Sequence, residues 1–546
     1  MSEPPKPVEP LTERVDRLRA DLEGFTVDAV DELLGPVAHA ALGREQALPA
    51  RLVVQRLPDD PLAVLVAVFV LGLEVPGRRL ASALPGTGLD GLRQLGLINT
   101  AGPAPDDPVR ATVDLRPYAA VDALGPANWW MISDPGELAT GRSLAEDHVL
   151  GVGGASLTLA RSTTRKPVRR VLDLGTGCGV QALHAGRHAG SVLGTDTSAR
   201  ALRMAELNWM LNRPTVKGAQ FSTRKGSLLD PVAGERFDLV VSNPPFVITP
   251  RSLTGAAYEY RDGGLVGDEL VRRLVTSLGS VLHPGGIAQL LGNWEQRSGE
   301  GWADRVGGWL DESGLDGWVV QRELQDPAEY AETWIRDAGQ HRNQDADELY
   351  AAWLADFASR GVVGVGFGLI TLRRPQGAAA AAASSVRERG PVGAAIGSAS
   401  AGAAAFVGPA GSRLRRLEER RSGPGLPTGY EIIAGLAAHD WLTRNDDLAL
   451  LDTRLQVAGD VTEERHHLPG AEDPTVILLR QGGGAGRVLQ SSTALAGLVG
   501  ACSGDLTVGR LIGALAVLLE RSEAELRVEL LPVVRTLIAD GLLLTV

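Results

Sequence analysis

The stretch Val171-Leu172-Asp173-Leu174-Gly175-Thr176-Gly177-Cys178-Gly179 limits what this chain can fold into more than any other. It reads as a buried strand, a glycine turn and the start of a helix. Glycine lets a backbone bend sharply and approach a ligand with no Cβ in the way. The next apolar run ends at Asp196, an acid able to accept hydrogen bonds from both hydroxyls of a ribose. Strands are expected at 170–174, 191–196, 220–225, 237–242 and 287–291, with helices at 180–188, 199–211 and 268–282. Two further strands, 317–324 and 362–372, enclose an acidic helical insertion at 326–360. Strands alternating with helices of this length predict βαβ units and a mostly parallel sheet.

The glycine spacing argues about the ligand. It is Gly-x-Gly-x-Gly rather than the Gly-x-Gly-x-x-Gly of dinucleotide folds. Asp173, just before the turn, is awkward beside a pyrophosphate but suits a cationic group. The run 237–242 then ends in Asn243-Pro244-Pro245-Phe246. The nitrogen of an amide or aromatic amine is a poor nucleophile, because its lone pair is delocalised. The Asn243 side-chain oxygen and the Pro244 carbonyl can accept its N–H groups and hold it for attack. Proline rigidity pre-organises both acceptors, and Phe246 can stack on a flat acceptor group. The plainer reading, that the prolines only end a strand, loses ground beside the cofactor pattern upstream.

Taken in order, the pattern is Asp-Leu-Gly-Thr-Gly-x-Gly at 173–179, Thr-Asp-x-Ser-x-x-Ala-Leu at 195–202, Asn208 and Asn212, then Asn-Pro-Pro-Phe. Residues 145–300 thereby resemble the class I methyltransferases with an Asn-Pro-Pro-aromatic motif, specifically the HemK/PrmC glutamine methyltransferases. They are also similar to the small-domain ribosomal-RNA guanine and N6-adenine methyltransferases. The resemblance implies an α/β, Rossmann-like, seven-stranded core and S-adenosyl-L-methionine as cofactor. It implies that Asp173 and the backbone of Gly175, Gly177 and Gly179 hold the methionine part, and that Asp196 holds the ribose. Ser227 and Leu228 would face the adenine, Ser227 standing where the family has an acid. Asn243, Pro244, Pro245 and Phe246 would be catalytic. The implied acceptor is a glutamine side-chain amide of a protein such as a translation factor. A nucleobase amino group in rRNA, tRNA or DNA is the alternative, since Phe246 replaces the tyrosine usual in the glutamine enzymes. A non-catalytic S-adenosylmethionine-binding regulator and a small-metabolite methyltransferase are the other readings.

At 546 residues the chain is expected to hold several domains. Residues 1–140 read as mostly helical and winged-helix-like, with helices at 11–25, 26–43, 49–57, 60–72 and 80–97 leading into a small β-ribbon. Residues 141–375 are the expected catalytic domain and 376–427 an Ala/Gly-rich linker. Residues 428–546 read as a mostly helical α+β domain, with helices at 430–444, 489–501, 507–520 and 523–543 and one strand at 475–480. The net charge is −12, yet residues 151–300 carry a balance of +6, which suits a polyanion or an acidic protein. Two cysteines give no disulfide framework. A reducing cytoplasm is expected. The apolar run 62–73 is too short to span a bilayer, and no leader is read at the start. His184 and His188 are expected on an exposed helix face rather than on a metal, so no metal is implied. Cys178 reads as a filler of the turn. Trp129 and Trp130 suit packing, whereas Tyr258 and Tyr260 suit a substrate loop.

Overall fold

Four short runs of branched apolar residues build the parallel part of the fold. The computed structural model describes residues 10–142, 144–145, 147–216, 218–251, 262–337, 345–376, 413–420, 425–483 and 486–546. Tyr258, Tyr260 and most of the Ala/Gly-rich stretch lie outside them. The chain forms two compact units. The first is Met1–Ala160 with Arg165–Val266 and Ala331–Asp356. The second is Arg161–Thr164 with Gly267–Tyr330 and Phe357–Val546.

The first unit contains a hairpin, β1 (Asp114–Asp122) and β2 (Gly125–Ser133). After it come β3 (Val168–Leu174), α1 (Val180–Gly186), β4 (Ala189–Asp196), α2 (Ala199–Asn212), β5 (Gln220–Lys225) and β6 (Phe237–Ser242). The spatial order is β5-β4-β3-β6, and every pair is parallel. Val171, Leu172, Val192, Leu193, Leu239, Val240 and Val241 are all buried. Both faces are covered, so these strands read as continuous apolar runs. Ser198 caps α2 by accepting the Ala201 N–H, and Arg213-Pro214 ends it.

Ahead of the hairpin lie helices Leu11–Asp21, Val27–Leu42, Leu48–Gln55 and Pro61–Leu65, the last running into a π turn at Val66–Val70. Gly35, at φ 68°, and Pro36 kink the second helix. Helices Gly77–Ala83 and Gly88–Gln94 then lead to a three-stranded antiparallel sheet, ordered Val75–Pro76, Pro108–Ala111, Ile98–Thr100. The 80–97 segment is thus parts of two short helices rather than one helix.

The second unit holds α3 (Glu269–Ser277), β7 (Leu282–Arg297), α4 (Trp302–Ser313), β8 (Asp316–Gln325), β9 (Val362–Arg373) and β10 (Arg415–Glu419). Its strands run β7-β9-β8-β10; β9 is antiparallel to both neighbours and β10 is parallel to β8. Among the described residues this part of the chain has one strand more than the sequence predicts. The extra one, β10, falls in the stretch expected to be linker. Its Arg-Arg-Leu-Glu-Glu sequence carries no apolar signal because ion pairs bury it instead. Arg416 and Glu418 are buried; Arg416 pairs with Glu418 and, at 2.7 Å, with Asp540. Arg487 reaches Glu418 at 2.6 Å and Arg420 reaches it at 2.9 Å.

Strand β7 extends well beyond the expected 287–291 for a related reason. Gln289 and Glu295 are buried polar residues with partners. Gln289 accepts the Thr164 N–H at 2.8 Å and donates to the Ser162 carbonyl at 2.6 Å. Glu295 receives Arg297 at 2.6 Å and Arg360 at 2.8 Å.

The carboxy-terminal part of this unit has more helix than strand, as expected, but holds more strands than the one foreseen. Helices Gly429–Arg444, Asp447–Asp452, Thr493–Gly500, Val508–Leu518 and Glu523–Ala539 share it with two three-stranded antiparallel sheets. One has Arg454–Val457 between Ser503–Thr507 and Leu543–Thr545; the other is the meander Val461–His466, Val476–Gln481, Val488–Ser491. A Thr428–Glu431 capping box starts the first helix, and Leu442, Leu498, Ile512, Leu526 and Val534 form the core. Among the described residues no helix is long and apolar enough to cross a membrane.

Candidate active site

The glycine turn leaves β3 and folds over the end of β4. The Gly175 and Thr176 N–H groups both donate to the Thr195 carbonyl at 2.9 Å. Gly175, Gly177 and Gly179 all have positive φ, at 71°, 53° and 84°, a region that a side chain strains. A Cβ on Gly175 or Gly177 would meet only open space, whereas one on Gly179 would lie 3.0 Å from the Ala205 Cβ on α2. Two glycines therefore serve the turn, and the third also serves helix packing.

Asp173 is buried at the end of β3. The Thr176 hydroxyl donates to its Oδ2 at 2.6 Å. Burial pushes the carboxyl up to about 7; the Thr176 hydroxyl and the Ala182 N–H oppose the rise, and the Asp196 charge adds to it. Asp196 is half-buried. Its Oδ2 accepts the Gly177 N–H at 3.0 Å and its Oδ1 the Ser198 N–H at 2.9 Å. Each oxygen keeps a second lone pair. The Asp196 carbonyl accepts the Gly226 N–H at 2.9 Å, which brings the Ser227–Leu228 turn alongside. Ser227 is exposed. Leu228 sits at φ 47°, a conformation costly for a side chain of its kind.

Asn243 leaves β6 beside this turn. Leu174 lies opposite Ser242 in the parallel register, and the Ser242 hydroxyl donates to the Leu174 carbonyl at 2.8 Å. The Asn243 Oδ1 is sealed from solvent, and no described group donates to it. A buried amide oxygen of this kind forfeits a hydrogen bond unless a ligand supplies one. Pro244 is buried, and Pro245 and Phe246 are half-buried. The Phe246 backbone forms an antiparallel bridge with Asp262.

Asn208 and Asn212, met first as motif residues, are buried fasteners. Asn208 accepts the Ile132 N–H and donates to the Ile132 and Cys178 carbonyls, each at 2.8 Å. Asn212 accepts the Trp130 N–H at 3.0 Å and donates to the Trp130 carbonyl at 2.8 Å. Strand β2 is thus stitched to α2 and to the glycine turn. Single acids that sequence reasoning missed finish the frame. Asp134 accepts the Val149 N–H at 2.8 Å and pairs with Arg200 of α2. Asp134 follows a strand end without a motif around it, and only an Asp-Gly-Gly turn signal marks Asp262.

The expectation of an exposed His184 is overturned. His184 is 2% exposed. Its Nε2 lies 2.8 Å from the Tyr118 hydroxyl, and Arg165 Nη2 lies 3.3 Å from its Nδ1. Burial holds its pKa down to about 4, so the ring stays neutral in this network. The packing of hairpin β1–β2 against α1, invisible in the one-dimensional pattern, covers it. Trp129 is buried, stacks on Tyr118 at 5.4 Å and donates to the Thr215 hydroxyl at 2.8 Å. Cys178 is buried, and burial pushes its thiol up to about 11, the wrong direction for a nucleophile.

Residues 151–297 match the family described as the methyltransferase small domain. Residues 23–112 and 434–545 match two families described only as domains of unknown function, DUF7059 and DUF7782. The chain is 36% identical over 137 residues to a release factor glutamine methyltransferase of Xylella fastidiosa, covering 23% of this chain and 48% of that enzyme. It is 29% identical over 198 residues to the ribosomal protein uL3 glutamine methyltransferase of Bradyrhizobium diazoefficiens, covering 33% of this chain and 59% of that one. It is 32% identical over 126 residues to the ribosomal RNA small subunit methyltransferase C of Alcanivorax borkumensis, covering 23% and 33%. The chain spans about half the length, or less, of most of the curated relatives it matches. Its central segment resembles class I methyltransferases of the HemK/PrmC type.

Proposed function

We propose that this protein is an S-adenosylmethionine-dependent N-methyltransferase whose acceptor is a glutamine side-chain amide of a protein, a translation factor being the nearest precedent. The observation that carries the reading is the buried Asn243 Oδ1 at the end of β6, to which no described group donates. An amide N–H group is the donor it lacks.

The residues present fit the cofactor. Asp173 is a buried carboxylate in need of a cation, Gly175 and Gly177 leave open space, and Asp196 has lone pairs free for ribose hydroxyls. Bound S-adenosylmethionine supplies an electrophilic methyl group. Asn243 and the Pro244 carbonyl would accept the acceptor N–H groups and orient its nitrogen. Phe246 would back the planar amide. Orientation by these residues would do the work of a strong base, which none of them supplies. Ser227 and Leu228 line the adenine end. We place the activity in the cytoplasm, in line with two free, buried cysteines.

The second reading is a nucleobase amino group. Phe246 and the similarity to the ribosomal RNA enzyme favour it, as does the +6 balance of residues 151–300. One experiment separates the two. Purified protein is incubated with methyl-labelled S-adenosylmethionine and a lysate freed of small molecules, beside an Asn243→Ala control. Label that protease removes and nuclease spares supports the glutamine reading. Label that only nuclease removes replaces it with the nucleobase. Incorporation no higher than the control, in either pool, refutes both.

A further inference from the structure

We propose that Asp262 is a positioning residue that fixes Phe246 behind the acceptor. The proposal rests on the reading of Asn243 to Phe246 as the acceptor site.

The backbone bridge between Phe246 and Asp262 lies outside the named strands. The Asp262 side chain adds further ties at the same point. It is only 5% exposed, and Arg251 Nη2 reaches its two oxygens at 2.5 and 2.6 Å. The Thr249 hydroxyl donates to its Oδ2. The Gly264 N–H donates to its Oδ1 at 2.9 Å, at a turn where Gly264 has φ 73°. Arg251 also donates to the Thr249 carbonyl at 3.2 Å and to its hydroxyl at 3.0 Å.

One carboxylate therefore gathers the chain just beyond Phe246 and the chain around Gly264. These are charge-assisted bonds, about twice as strong as neutral ones. A mere surface ion pair would be solvated and worth little; here the carboxylate is buried while Arg251 stays partly exposed. All the partners lie at 249–264, away from the glycine turn at 175–179. Loss of the hub should loosen Phe246 and leave cofactor binding intact.

The test uses the full chain, with Asp262→Asn and the milder Thr249→Val. Cofactor affinity is read by titration calorimetry and acceptor kinetics on the labelled pool. The protein is also made with 4-fluorophenylalanine, and the Phe246 fluorine line is assigned by its loss in Phe246→Leu. With Asp262→Asn we expect cofactor affinity within about twofold of wild type and an acceptor KM raised, or kcat lowered, about tenfold. The Phe246 line should shift or broaden while the other phenylalanine lines stay, with a smaller change in Thr249→Val. An unmoved Phe246 line in both variants, or unchanged kinetics in an active protein, overturns the hub. If Asp262→Asn disturbs every line, Thr249→Val decides. A wild type without turnover whose Phe246 line still responds would sink the acceptor reading and leave the hub standing.

Discussion

Asp173 is held where water would serve it better. Its carboxyl ionises near 3.8 before folding and near 7 once buried. A raised carboxyl pKa stabilises the folded state fully below the unfolded value, and that contribution disappears as pH rises through 7. Asp173→Asn should therefore leave thermal stability unchanged near pH 4 and raise it at pH 8. A gain on the order of 1 kcal/mol would move Tm by about 2–4 °C, read by differential scanning calorimetry. A cationic ligand wants the ionised form. Affinity for S-adenosylmethionine should weaken as pH falls below about 7, approaching tenfold per pH unit. At pH 6 the heat of binding should vary with the ionisation enthalpy of the buffer, as a proton is released. Asn243→Ala should bind the cofactor normally and turn over at least about a hundredfold more slowly, by single-turnover kinetics. These residues were legible in the sequence because chemistry fixes their spacing. Asp134 and Asp262 were not, since an acid that ties two loops together leaves no period behind it.

Among elements, the parallel strands and the helices between them were legible from apolar runs closed by glycine or proline. What escaped was structure stabilised by polar groups. Strand β7 buries Gln289 and Glu295, strand β10 buries Arg416 and Glu418, and hairpin β1–β2 takes part of its edge from side-chain amides. Apolar periodicity cannot report any of these. Asn208 is the sharpest test. Asn208→Leu would leave the Ile132 N–H and the Ile132 and Cys178 carbonyls without that partner in a dry site. A loss of about 2–3 kcal/mol is expected in urea unfolding. Amide exchange at Ile132 should speed up before that at Val240, on strand β6, if the hairpin is what loosens.

Across the whole chain, the +6 centre between acidic flanks described composition and located no interface. The segments matched to domains of unknown function gave no chemistry in sequence, because helices and small sheets packed by leucine are common to many tasks. Their attachment is more informative. Burial would push Glu418 up, but Arg416, Arg487 and Arg420 overcome it and hold the carboxyl at about 2. A depressed carboxyl pKa contributes stability above the unfolded value near 4.5 and loses it as pH falls to about 2. Glu418→Gln should cost the second unit about 3–5 kcal/mol at pH 7, by stranding buried guanidinium groups. The variant should also lose the part of the acid transition that falls between those pH values, followed by circular dichroism. Arg19, in the first helix of the chain, donates to the Leu211 and Met210 carbonyls at the end of α2, both at 2.6 Å. Helix α2 begins three residues after Asp196, and its own asparagines grip the hairpin. A core cut free of residues 10–133 would give up the cap on α2 and every partner of Asn212 in β2. The amino-terminal segment is thus no detachable module that recombination could trade at a linker; it must be inherited together with the helix it finishes.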